Sequence, residues 1–152
     1  MGLIISLVFI SIQVGFVESD QPQKQRAVYH VNYDDASRQA ATLRNIRNHL
    51  KAVGADKLEL RVVLHGKGLS LLLTPERVRE TKLNRGLATP EISQTLTDLR
   101  AQGVTFNICA NTMKNKQVQI DQLSGASSSD VVPSGIAAIA QLQDQGYAYL
   151  RP

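Results

Sequence analysis

Cys109 is the only cysteine in the 152-residue chain, and it closes the apolar, β-prone part of Gly103-Val-Thr-Phe-Asn-Ile-Cys-Ala-Asn-Thr112. The residues after the sulfur are polar and suit a helix start, so the thiol is expected where a strand gives way to a helix. In open α/β sheets ligands gather at the carboxyl ends of strands. Backbone N–H groups at a helix start also favour an anion, here a thiolate. A single cysteine forms no internal disulfide, so its chemistry is nucleophilic, redox or sulfur-carrying. The competing reading is packing, since free cysteine is among the most buried residue types.

Two further strand ends bear polar groups, Asn32-Tyr33 and His65-Gly66. In a parallel sheet these ends share one edge with Cys109, which brings Asn32 and His65 towards the sulfur. A neighbouring imidazolium, lysine or helix start lowers a thiol pKa from about 8.5 to roughly 3.5–7.5. His65 is the expected tuning group, with Lys114 and Lys116 adding positive potential. The competing reading of His65 is a turn residue that bonds the loop backbone. His30, in mid-strand, and His49, on a helix, read as structural or solvent-facing.

Other named chemistries do not fit. His65-Gly-Lys-Gly-Leu-Ser70 departs from a phosphate loop, which requires glycine at Arg61 and Ser or Thr at Gly68. It departs from a dinucleotide fingerprint as well, since Leu71 replaces the third glycine. Three dispersed histidines and one cysteine give no metal-ligand spacing. No cofactor is expected. Net charge is only +4, aromatics make up 5% of the chain and tryptophan is absent. Arg38, Arg44, Arg47 and Lys51 fall on one outer helix face without aromatic interleaving, which reads as a solvated surface rather than a nucleic-acid site.

The elements that must hold these residues alternate. Ala27–Tyr33, Leu58–Leu64, Val104–Ile108, Val131-Val132 and Tyr147–Leu150 read as strands. Helices are expected from Asp34 or Asp35 to Val53, from Thr89-Pro90 to Gly103, from Met113 to Leu123, and through Ile136, Ile139, Ala140 and Leu142 to Gly146. Thr74-Pro75 has the form of a further helix start. Leu69–Leu73 is too short for periodicity to separate strand from helical turn, and its apolarity suggests an interface. Strand–helix alternation implies right-handed crossovers and a parallel sheet between helices. Hydrophobic content of 43% and charged content of 20% suit one soluble domain.

Met1–Val17 carries no charged side chain and is rich in Leu, Ile, Val and Phe. It is short for a membrane span, which needs roughly 20 apolar residues. It suits a secretory segment ending near Val17-Glu-Ser19, although no Lys or Arg precedes it. The expected organisation is a signal peptide over 1–19, a flexible linker over 20–26 and one domain over 27–152. The mature chain is then periplasmic or secreted with no stable membrane insertion. An uncleaved anchor, or a misassigned start and a cytoplasmic protein, are the alternatives.

His65-Gly66, the Gly103–Thr112 run, Val132-Pro-Ser-Gly135 and Gln143-Asp-Gln-Gly-Tyr-Ala-Tyr-Leu-Arg-Pro152 stand in an order and spacing that resembles the DsrE/DsrF-like (YchN-like) family. The resemblance covers Ala27 to Pro152. It implies a three-layer α/β/α sandwich with a mostly parallel five-stranded sheet, assembled as a homotrimer or homohexamer. It also implies sulfur relay through a persulfide on the strand-end cysteine, with Cys109 in that place and His65, Gly66 and Asn111 at surrounding motif positions. In this reading Ala110 and Asn111 supply N–H groups to the sulfur, and Gly66 and Gly68 let a sulfur donor approach, neither donor nor acceptor being specified. The alternative is a non-catalytic oligomeric module that binds a small ligand or partner around a structural cysteine.

Overall fold

The computed structural model describes residues 24–152. The expected segment over 1–19 lies outside the described residues. Strands β1 (Gln25–Val31), β2 (Leu58–Leu64), β3 (Thr105–Cys109), β4 (Val131–Val132) and β5 (Ala148–Leu150) form one sheet in the order β4-β3-β2-β1-β5. Every pairing is parallel. The helices are α1 (Ala36–Val53), α2 (Pro90–Ala101), α3 (Ala110–Lys116) and α4 (Gly135–Asp144). The result is the expected three-layer α/β/α sandwich.

The caps follow the local sequence. Asp35 precedes α1 and its carboxylate accepts from the Arg38 N–H at 2.7 Å. Thr89 caps α2 by accepting from the Ile92 N–H, with Pro90 at the first helical position, where its missing N–H costs nothing. Thr74-Pro75 starts only a 3-10 turn, Pro75–Glu80, and makes no side-chain cap. The expected helix over Met113–Leu123 differs most. It begins at Ala110 and stops at Lys116, because Gln117 adopts a left-handed conformation (φ 54°).

The two faces of the sheet have different contents. Alternate residues Ala27, Tyr29 and Val31 of β1, with Leu60, Val62 and Leu64 of β2 and Phe106 and Ile108 of β3, form the large core. Leu43, Ile46 and Leu50 of α1 and Leu96 and Leu99 of α2 pack on it. Leu69, Leu71, Leu72 and Leu73 complete that core from a 3-10 turn over Gly66–Leu71 and the residues after it, and all are buried. This apolar run therefore serves the fold and is not an exposed interface patch. The apolar cluster on the opposite face is smaller, Val28 and Val63 against Ile139 and Leu142 of α4 and Tyr147.

Handedness links these faces to the site. Running outward from β1 to β4, the connections lie on the large-core side, as the buried positions of α1, α2 and Val118 after α3 record. The return from β4 across the sheet to β5 keeps a right-handed crossover only by placing α4 on the other side. The segments leaving β3 and β4 thus depart to opposite faces. The ends of those two strands are the topological switch, the place at which open α/β sheets commonly bind ligands.

The short edge strand β4 is held by charge. Arg100 at the end of α2 donates to both Asp130 oxygens at 3.1 Å and stacks on the Phe106 ring, 4.8 Å to its centroid. Asp130 is buried and also accepts from the Ser127 N–H. We expect Asp130→Ala to cost about 3 kcal/mol, measured as a shift of the urea midpoint at unchanged slope, because it strips a partly buried guanidinium of its partner. A loss below about 1 kcal/mol would show that this pair does not anchor β4.

Candidate functional site

Cys109 is the last residue of β3 and faces away from the large core, opposite Val132 of β4. The residue as a whole is 5% exposed. Burial raises the thiol pKa, but the neighbouring Thr112 hydroxyl and the backbone N–H groups of Gly135, Thr112 and Asn111 lower it by more, although the sulfur makes no helix-cap hydrogen bond to α3. The net result is a thiol held below its ordinary value, by neutral dipoles alone. No lysine or imidazolium contributes, so the expected role of Lys114, Lys116 and a charged His65 is not how this thiolate is stabilised.

The Thr112 hydroxyl accepts from the Gly66 N–H at 2.9 Å, which leaves its own hydrogen free to be donated elsewhere. Gly66 therefore joins the site through Thr112. Gly135 closes the other side: a Cβ there would lie 3.0 Å from the His65 Cβ and 3.4 Å from the Cys109 Cβ. Its bare backbone lets α4 begin directly against both residues.

His65 follows β2 and shares a face with Cys109, since Val63 pairs with Asn107 and each lies two residues earlier in its strand. It does not hydrogen-bond the sulfur. Instead its Nε2 meets Nε2 of His30 at 2.6 Å, edge to edge, with the ring planes 22° apart and the centroids at 4.7 Å. His30 Nδ1 in turn meets the Tyr149 hydroxyl at 2.6 Å. Desolvation, the neighbouring His65 and the Arg151 guanidinium lower the His30 pKa to about 4. Desolvation and then Arg151 also lower His65. Both imidazoles are neutral at neutral pH.

The remaining expected residues are dispersed. Asn32 accepts from Arg151 at 2.9 and 3.3 Å, at the β1 and β5 ends. Gly68 is buried, and a Cβ there would fall 2.0 Å from the Val31 carbonyl oxygen, so the protein's own backbone fills the room it leaves. Asn111 is exposed and reaches the sulfur through its N–H. Ala110 lines a separate cleft of about 700 Å³ with Met113, Lys114, Val118 and Gln122. Among the described residues no three His, Cys, Asp or Glu side chains form a metal-binding group.

Sequence reasoning missed His30, Thr112, Gly135, Tyr149 and Arg151. Strand parity carries the signal for His30: it precedes Asn32 by two, and its register partner Val63 precedes His65 by two. A polar residue on that alternation belongs with the site rather than in the core.

The DsrE/DsrF-like family model matches residues 25–152. The chain belongs to the DsrE/DsrF-like family. Among solved structures, it is similar to a protein of unknown function, MTH1491, from Methanobacterium thermoautotrophicum. Identity is 29% and the TM-score 0.67, over 85% of this chain and all of the other. The ychN protein of E. coli shares the fold at 18% identity and TM-score 0.60, covering 84% of this chain and 99% of that one. No functionally curated protein matches. For this DsrE-like chain no described helix is long and apolar enough to cross a membrane.

The polar groups around the sulfur generate a direct expectation. Alkylation of folded Cys109 by iodoacetamide rises with pH as thiolate forms and levels off below the pH typical of an unperturbed cysteine. Thr112→Val removes the hydroxyl that lowers the thiol pKa and slows alkylation at neutral pH about tenfold, whereas Thr112→Ser preserves it. Equal rates in all three proteins would show that the hydroxyl does not hold the thiolate.

Proposed function

We propose that the protein carries sulfane sulfur as a persulfide on Cys109, taking it from a donor and passing it to an acceptor thiol. Membership of the DsrE/DsrF-like family is consistent with a sulfur-relay role. The observation that carries the finer reading is the lone cysteine at the end of β3, at the switch to β4, with the start of α4 at Gly135 packed directly against it and against His65. The polar groups around Sγ favour Cys109 both as the attacking thiolate in loading and as the thiolate released when an acceptor takes the outer sulfur. Because the stabilising groups are neutral, sulfur loading and release leave no fixed charge unpaired.

The donor and acceptor are unspecified. A homotrimer or homohexamer is part of the proposal through the family resemblance; among the described residues Ile136 is the most exposed large apolar side chain. Residence in the periplasm or outside the cell, with the cytoplasm as alternative, rests on residues 1–19. In an oxidising compartment a nearly buried thiol has the advantage of excluding large disulfides.

The burial of Cys109 also favours a second reading, an oligomeric binding module in which the cysteine packs. Its ligand space is then the cleft beside Ala110. Incubation with thiosulfate or polysulfide followed by mass spectrometry separates the two. A gain of one sulfur mapped to Cys109, absent from Cys109→Ser, is expected of a carrier. A protein that gains no sulfur, and whose folded thiol resists alkylation, is the binding module.

A further inference from the structure

Tyr149, His30 and His65 form a continuous hydrogen-bonded row with 2.6 Å at each link. One end is in water, since Tyr149 is 41% exposed, and the other packs with Cys109 against Gly135. His30 between them is buried, 6% exposed. Two Nε2 atoms at hydrogen-bond distance require one to donate and the other to accept. Neutral imidazoles satisfy this in two ways. Either Tyr149 donates to His30 Nδ1, His30 Nε2–H donates to His65, and His65 keeps its hydrogen on Nδ1; or all three donors are reversed.

We propose that Tyr149 and His30 act through His65 as a proton wire between solvent and the Cys109 sulfur site. This rests on reading Cys109 as a sulfur carrier. In loading from a small persulfide, the Cys109 thiolate attacks the outer sulfur. The donor S–S bond breaks with its electron pair on the departing thiolate, and a new S–S bond forms at Cys109. The departing thiolate takes the Nδ1 proton of His65. His65 Nε2 takes the proton of His30, His30 Nδ1 takes that of Tyr149, and solvent restores the tyrosine. Each imidazole has exchanged one N–H for the other.

Unloading runs the wire backwards. An acceptor thiol loses its proton to His65 Nδ1, attacks the outer sulfur, and releases Cys109 as thiolate. The row returns to its first arrangement. Serine-hydrolase chemistry orients its imidazole with a carboxylate, which stabilises an imidazolium. Here the groups facing the pair are Tyr149 and Arg151 from β5 and its continuation, Asn32 after β1, and Gly135 of α4. Among the described residues no carboxylate bonds either ring. Arg151 and burial oppose a resident proton on either ring, which suits groups that pass a proton and do not store it.

Nitrogen-15 NMR of the intact protein tests the wire without any sulfur chemistry. Opposite tautomers at His30 and His65, with scalar coupling across the Nε2–H···Nε2 bond, are expected; identical tautomers without that coupling overturn it. Kinetics test its use, with glutathione persulfide as probe and mass-resolved sulfur on Cys109 as readout. His30→Gln fills the space but passes no proton, and Tyr149→Phe removes the outer link. Both should slow transfer about a hundredfold, the low end of general acid–base contributions, and abolish its solvent deuterium isotope effect. Iodoacetamide alkylation of Cys109 should stay within about twofold, because other groups hold the thiolate. Equal transfer rates in wild type and both variants, or parallel loss of transfer and alkylation, overturn the wire. A wild type that accepts no sulfur overturns the carrier reading instead, and the wire then stands or falls on the NMR.

Discussion

The change of face between β3 and β4 is the constraint on which this molecule depends. A right-handed return from the β4 edge to β5 is possible only with α4 on the side opposite α1 and α2. That return brings the start of α4 to the end of β3, and so sets the Gly135 N–H against the Cys109 sulfur. The opposing donors, Asn111 and Thr112, come from the segment leaving β3 towards the large core. The sulfur is thus contacted from two directions because two successive connections part there. Arg100 and Asp130 matter for the same reason: they secure the two-residue strand from which α4 departs.

Electrostatically, the site is built from dipoles rather than ions. Burial raises the thiol pKa and lowers those of both histidines, in each case favouring the neutral form. The Thr112 hydroxyl and the nearby backbone N–H dipoles reverse this for the thiol alone. Arg151 reinforces it for the histidines, and is itself held by the Asn32 side-chain oxygen, not by a carboxylate. Thiolate and imidazoles are therefore tuned by separate groups. An imidazolium in contact with the thiolate would couple the two titrations.

Much of this was legible in the residues. β2 was expected at the bounds observed, Asp35 and Thr89 cap as their side chains suggest, and the strand ends at His65 and Cys109 share an edge. The helix after Cys109 was harder to read, because polar residues continue past Gln117 and nothing in their order marks the left-handed turn that stops it. Leu69–Leu73 misled for a different reason. Hydrophobicity tells that a segment will be buried, but whether its own chain or a partner covers it depends on the α1 and α2 packing around it. His30 was hidden by its position inside an otherwise apolar strand, and became meaningful only when register showed its parity.

That parity joins stability to chemistry. Tyr29 and Val31 on one side of β1 are core, while Val28 and His30 on the other face the thin α4 layer and the imidazole row. A one-residue slip of β1 against β2 would turn His30 into the large core and expose its apolar neighbours. The same slip would carry an imidazole out of reach of both Tyr149 and His65. The hydrophobic energy that selects the register therefore also aligns the row, with no separate device for positioning His30. Core residues on one face hold the functional geometry of the other, and α4 can remain a light cover without loosening it.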